Sequence, residues 1–343
     1  MNLRDACYKD FCLVREMMET PGIVGRFVFG SAEPTAETVI RAGKLFLTGE
    51  GSSRIFPAKN AIYESLRMGA PLQISTDGAR QAHEYDLSRM AVFGASNSGK
   101  TKEVISLFTQ ISQNGHQRRF GLTANPNTPL EALSNRCHVL SCGKENAVAA
   151  TKSVVEQALF YRSILCRFDR EPGLMARNRV AAADAARATL EAELDPQLVR
   201  AIAGAGVVYF AGRNNGVAEE LTLKTNEIAR KKSDFLEGTY AVHGVEEVMD
   251  GGEVVVAIDP FPEELAKFNE VLVDGVGLTV IAIAPQETIF PTIRVPAVPG
   301  YESVLQLLAG WNVLVHVGVA LGINLDKAQR ARKIGNEFLG TPP

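Results

Sequence analysis

Short apolar runs alternate with helix-like segments along this 343-residue chain, and the alternation stops and then restarts at a fixed distance. LFLTG (45–49), PLQIST (71–76), MAVFGAS (90–96), RFGLTAN (119–125) and HVLSCG (138–143) read as strands. RIFPAKNAIYESLRM (54–68), a segment from Gly99 to about Asn114 and another from about Val148 to Leu165 read as helices. Strands that alternate with helices build a parallel sheet covered by helices. Residues 171–197, rich in Ala, Arg and Glu, carry no strand pattern and read as a helical linker. The order then resumes with VVYFAG (207–212), a helix through Glu227, VVVAID (254–259), a helix, and LTVIAIAP (278–285). A shift of 163 residues carries Gly49 onto Gly212, Ala91 onto Val254, Ser96 onto Asp259 and Phe120 onto Ile283. Three strands agreeing at one offset imply an internal duplication with two similar α/β halves.

Composition narrows the function. The 46% apolar and 22% charged fractions are those of a soluble globular protein. A formal net charge of −3 argues against nucleic-acid binding through a basic surface and against attachment to anionic lipid. Cys7, Cys12, Cys137, Cys142 and Cys166 are odd in number and form no CxxC pair, which disfavours a disulfide framework and favours a reducing cytoplasm. The opening MNLRDACYKDF lacks the apolar core of a signal peptide. WNVLVHVGVALGI (311–323) falls short of the ~20 residues that span a bilayer and reads as a buried helix. No His/Cys/Asp cluster has metal-ligand spacing, and neither a metal nor a cofactor is expected.

The sharpest motif is GASNSGKT (94–101), a match to the G-x-x-x-x-G-K-[ST] phosphate loop. A glycine-rich turn from strand to helix offers backbone N–H groups at the positive end of a helix, where an anion is favoured. In an ATPase or kinase reading, Lys100 contacts the outer phosphates, Thr101 holds magnesium, and Asp259 is the acidic residue that assists the metal. Against this, the motif follows a third strand rather than a first. In the other reading, the hydroxyls of Ser96, Ser98 and Thr101, with the amide of Asn97, wrap the single phosphate of a sugar, and Lys100 is merely exposed. The equivalent segment of the second half, AIDPFPEE (257–264), has lost the hydroxyls and gained Pro260 and Pro262, which have no N–H. Only the first half can bind phosphate in this way.

SNSGKTKE resembles the signature of the sugar-isomerase (SIS) domains that bind phosphosugars. The resemblance extends over nearly the whole chain and is strongest to the isomerase half of glucosamine–fructose-6-phosphate aminotransferase. REMMETPGIV (15–24) resembles that family's opening helix and Pro turn, GEGSS (49–53) its first Ser-bearing loop, and NAVAATKS (146–153) its Val-Ala-Ser-Thr-Lys segment. The implied fold is α/β, two tandem SIS domains, each a parallel sheet flanked by helices in a flavodoxin-like three-layer sandwich. The implied boundaries are an N-terminal helical segment (1–39), a phosphate-binding domain (40–170), the linker (171–197), a second domain (198–325) with the catalytic Glu and His, and a tail (326–343).

The family pattern places a His sixteen residues after a Glu, and Glu227 and His243 in LKTNEIARKKSDFLEGTYAVHGVEE (223–247) keep that spacing. The resemblance implies Glu227 as the base that moves a proton between C1 and C2, and His243 as the group that handles ring opening. Carboxylate and imidazole suit those tasks. It also implies Lys333 as a Schiff-base lysine, phosphate contacts at Ser53, Ser96, Asn97, Ser98 and Thr101, and sugar contacts at Ser52 and Val148. A homodimer with its active site near the subunit interface is implied too, with a small sugar phosphate as ligand.

The sequence departs from the family at several points. Asn97 stands for a Gln, Ala150 for a Ser, and Val245 for the Pro after His-Gly. The glutaminase segment is not in this sequence, so synthesis of glucosamine phosphate from glutamine is not expected. Isomerisation of a 6-phosphorylated ketose, deamination of glucosamine 6-phosphate and deglycation of fructosamine 6-phosphates share the needed chemistry. Arg230, Lys231 and Lys232 offer themselves as partners for the carboxylate of an amino-acid adduct. A phosphosugar sensor without catalysis is the remaining alternative.

Overall fold

The computed structural model of the chain describes residues 1–330 and 337–338. Lys333 lies outside the described residues. Two parallel five-stranded sheets are present among them, each in its own compact unit. The first contains β1 (Lys44–Gly49), β2 (Gln73–Gly78), β3 (Ala91–Ala95), β4 (Arg119–Thr123) and β5 (Arg136–Val139), in the order β2-β1-β3-β4-β5. The second contains β6 (Val207–Gly212), β7 (Lys232–Phe235), β8 (Val254–Ile258), β9 (Thr279–Ala284) and β10 (Thr292–Arg294), in the order β7-β6-β8-β9-β10. Position for position this is one topology used twice, the doubly wound order of flavodoxin-like sheets.

The 163-residue offset survives at the level of single residue pairs. Leu45 faces Ala91 in the first sheet, and Val208 faces Val254 in the second. The fourth strands depart from it by two residues, for Gly94 faces Gly121 while Ala257 faces Ala282. The units are not contiguous stretches of chain. Gly22–Asn146 and Ala150–Arg179 form the unit of the first sheet with tail residues Arg330, Glu337 and Phe338, while Met1–Pro21, Ala147–Ala149 and Val180–Gln329 form that of the second.

β3, β4 and β8 are buried along their whole length, as strands covered on both faces must be, and this is why they read as unbroken apolar runs. Helices α1 (Ile55–Met68), α2 (Lys102–Gln113) and α3 (Lys152–Leu165) accompany the first sheet, and α4 (Val217–Lys224) and α5 (Glu302–Ala320) the second. All of α3 is buried. The helix expected around residues 311–323 is longer at its N-terminal end. By length and composition α5 could cross a membrane, but 83% of its apolar stretch is buried within the protein, with Trp311 fully enclosed. All five cysteines are free.

Three expectations need correction. The strand expected at 138–143 lies at Arg136–Val139, because residues 140–143 turn instead: Glu156 accepts from the N–H and hydroxyl of Ser141 (both 2.8 Å) and from Cys142 N–H (2.7 Å). The helix expected from Val148 starts at Lys152. The helix expected to run through Glu227 is α-helical only to Lys224. Strands β7 and β10 were not anticipated, being short, polar edge strands without an apolar signal.

Gly94, the first glycine of GASNSGKT, lies inside β3, and a Cβ there would stand 2.5 Å from Phe108 Cε2 on α2. Its role is close packing of helix on sheet. Gly94→Ala should therefore destabilise the protein by about 2 kcal/mol through overpacking, measured by urea unfolding. An unchanged midpoint would contradict this role.

Candidate functional site

A doubly wound sheet leaves a crevice at the carboxyl ends of its strands where the strand order reverses. In the first unit the reversal lies between β1 and β3, and the two hydroxyl-rich loops leave from those two strands. The approach is tight: a Cβ on Gly49, at the end of β1, would stand 2.9 Å from the carbonyl oxygen of Ala95, at the end of β3.

The loop after β3 is held from within. Ser96, almost fully buried, shares a 2.7 Å hydrogen bond with the Thr101 hydroxyl, and Lys100 N–H donates to Ser98 Oγ (3.2 Å). Gly99 turns the chain with φ +67, and a Cβ there would collide with Thr128 at 2.4 Å, so conformation and space both demand glycine. The Asn97 carbonyl accepts from Ala124 N–H (3.1 Å) and Asn125 Nδ2 (2.7 Å). The N–H groups of Asn97, Ser98, Lys102 and Glu103 donate to no protein atom among the described residues. They are the orphan donors of a loop and helix N-terminus, which can hold an anion. Lys100 is exposed. Tail residues 337–338 pair with this loop: Phe338 N–H donates to the Lys100 carbonyl (2.8 Å), and Glu337 bridges Thr101 in antiparallel fashion.

The loop after β1 makes a short 3₁₀ turn at Gly51–Ser53 with Ser52 buried and Ser53 half-buried. Val148 is half-buried in the other unit.

The corresponding crevice of the second sheet is filled by the protein itself. Arg213, following β6, ion-pairs with Asp259, following β8 (Nε–Oδ2 2.8 Å), and lies 4.4 Å over the ring of Phe261. Asp259, which the ATPase reading required for a metal, is committed to this pair. Among the described residues no group of three His, Cys, Asp or Glu could hold a metal ion.

The second unit carries Glu227. At the end of α4 the helix widens into a π-helical turn, Thr225–Ala229, and Arg230 closes it in the left-handed region with φ +50. Such single π turns gather at functional sites, because the inserted residue re-aims the side chains after it. Lys224, wholly buried, donates to Glu227 Oε2 at 2.7 Å and lies 3.4 Å from Glu220 Oε1, also wholly buried. Glu227 keeps a side-chain exposure of 28%. It is thus a carboxylate with one oxygen anchored and its body at the surface of its unit.

His243 is exposed on the turn between two 3₁₀ segments, followed by Gly244 with φ +105, and its ring makes no hydrogen bond among the described residues. No hydrogen bond joins it to Glu227. The other four histidines include three with structural partners: His116 with Leu87 O, His138 with Thr35 Oγ1 and His316 with Asn312 O. Burial pushes His138 down to about 4 and holds it uncharged at neutral pH.

The basic group after Glu227 is structural. Arg230 donates to Asn324 O (2.9 Å) and to Lys327 O, and Lys231 to Ala203 O (2.9 Å). These residues precede β7, at the amino end of the strand and away from the crevice edge. They do not present free cations to an adduct.

Sequence reading missed Lys224 and Glu220, although Lys224 lies within the LKTNE segment it singled out. It also missed Glu145, one residue before the NAVAATKS segment.

No protein-family model matches the chain, and no curated protein matches its sequence. Solved structures do. The C-terminal domain of glucosamine-fructose-6-phosphate aminotransferase from Francisella tularensis superposes with a TM-score of 0.75 at 17% identity, over 93% of this chain and 98% of that one. The tagatose-6-phosphate ketose/aldose isomerase of Escherichia coli gives 0.75 at 18%, over 94% and 97%. The glucosamine-6-phosphate deaminase of Thermotoga maritima gives 0.69 at 17%, over 94% and 98%. The chain has their fold. The sugar-isomerase fold implied by the sequence is therefore the observed one, from end to end of these relatives.

Lys224 sits between two carboxylates, so removing it leaves Glu220 buried without its cation. Lys224→Met should cost roughly 3–5 kcal/mol in urea unfolding. Adding Glu220→Met should recover part of that loss, and a double variant no better than the single would refute the pairing.

Proposed function

We propose that the chain is a phosphosugar isomerase-type enzyme built from two tandem sugar-isomerase domains, acting on a 6-phosphorylated ketose or amino sugar by acid–base chemistry. The carrying observation is the loop after β3, whose free N–H groups at a helix N-terminus lie beside the hydroxyl-rich loop after β1 at the switch point of the first sheet. The names of the relatives support the substrate class, since they act on tagatose 6-phosphate, glucosamine 6-phosphate or fructose 6-phosphate.

In this reading Ser53, Ser98, Thr101 and the loop N–H groups hold the phosphate, with Ser96 bracing Thr101. Ser52 and Val148 line the sugar. Glu227 moves the proton between C1 and C2. Its anchored oxygen fixes the carboxylate on Lys224, and the other oxygen is left to work. His243, exposed and without a partner among the described residues, handles ring opening, and a homodimer is the assembly in which an exposed histidine gains a substrate. Lys333 is proposed for the Schiff base. Isomerisation, deamination and deglycation proceed through related enediol or enolamine intermediates and remain the three candidate activities. The ATPase reading loses its metal-assisting carboxylate to Arg213.

A thermal-shift panel of fructose 6-phosphate, glucosamine 6-phosphate, a fructosamine 6-phosphate and Mg-ATP tests this. At about 100 times its dissociation constant a true ligand adds ~2.7 kcal/mol. Sugar phosphates should stabilise the protein and Mg-ATP should not. Stabilisation by Mg-ATP alone would overturn the reading. For the sugar phosphate turned over, Glu227→Gln should lower kcat at least ~100-fold while leaving the thermal shift intact. Binding without turnover in the wild-type protein would indicate a sensor.

A further inference from the structure

Below the loop that follows β3 lies a carboxylate with no expected role. Glu145 is 1% exposed. Its Oε1 accepts from the N–H (2.7 Å) and the hydroxyl (3.0 Å) of Thr151, and its Oε2 from Asn97 Nδ2 (2.8 Å) and from the Ser153 hydroxyl. One buried anion thus ties the start of α3 to the phosphate loop. Isolated burial of such a charge is costly, and here four donors offset it.

The arrangement changes what Asn97 can do. One hydrogen of its amide belongs to Glu145, and its carbonyl is held by Ala124 and Asn125. Asn97 is therefore clamped at both ends. Clamping it fixes the peptide planes on either side, which carry the free N–H groups of Asn97 and Ser98.

We propose that Glu145 is a positioning residue for phosphate binding. Its carboxylate holds Asn97, and through Asn97 it presets the donor directions of the loop, so that the loop need not be ordered when the anion arrives. The inference rests on the proposed phosphosugar reading. It also explains an otherwise unfavourable placement, a buried negative charge near an anion site: the Asn97 amide stands between them, and the charge acts on the loop by hydrogen bonding.

The test is calorimetric binding of inorganic phosphate and of fructose 6-phosphate to the full chain. Glu145→Gln keeps the shape but replaces an accepting oxygen by a donor. It should weaken both ligands about tenfold, the scale of one charge-assisted hydrogen bond. Ser153→Ala removes a partner of the same oxygen without touching Asn97, and should leave both affinities within about twofold, so a general loosening of the α3 start is separable from loss of the Asn97 clamp. If the Gln variant does not fold, Glu145→Asp, which keeps the charge but shortens its reach to Asn97, takes its place. In a cycle with Asn97→Ala, the second substitution should add little to the first. Wild-type affinity in folded Glu145→Gln, additive losses in the cycle, or equal losses in Ser153→Ala would overturn the inference and spare the phosphosugar reading. Failure of the wild-type chain to bind either probe would overturn both.

Discussion

Parallel pairing of β1 with β3 is the constraint from which the candidate site follows. The chain leaves β1 on one side of the sheet toward β2 and crosses to β3 on the other, so the connections diverge and the two strand ends face one crevice. The strands must come close for this to work, and Gly49 is the residue that permits it, lying against the carbonyl of Ala95. The second sheet repeats the device at the same offset, where Gly212, with φ +99, lies against Ile258. The backbone geometry is thus shared, and what differs is the side chains set into it. In the first crevice hydroxyls and unpaired N–H groups face outward, whereas in the second an arginine and an aspartate face each other.

The catalytic carboxylate proposed for the second unit depends on a different device. A regular helix through Glu227 would continue the spacing of α4, with Lys224 one turn below. The π turn interrupts that spacing, and Arg230 in the left-handed region ends it. The 2.7 Å bond from Lys224 shows that the widened turn still keeps Glu227 in reach of a buried cation. A lysine so enclosed is held in place by its two carboxylates, and they by it, so the three residues form a single unit that packing alone would not produce.

How much of this was legible depended on whether the signal was local. β1, β3, β6 and β8 announced themselves because strands buried on both faces must be apolar, and their common offset revealed the repeat. β7 and β10 were silent because edge strands tolerate polar residues. β5 was displaced by a tertiary contact, the capture of Ser141 and Cys142 by Glu156, which no local pattern encodes. The phosphate loop was visible through its glycines and hydroxyls, yet one of those glycines, Gly94, is required by Phe108. Glu227 and His243 were visible only by their spacing in a family resemblance. Glu145, Glu220 and Lys224 were not visible, because a buried charge is recognised by its partners and those partners are brought together by the fold.

The ion pair of Arg213 with Asp259 has a consequence for how a duplicated chain divides its work. A repeated backbone carries two equal openings, and two equal openings would take up two anions. Sealing one with a cation and an anion of its own makes the chain unequal: a symmetric frame with a single vacancy. The sealed half, relieved of holding a ligand at its strand ends, was free to diverge elsewhere, and the π turn that carries Glu227 is where its divergence from the first half is greatest.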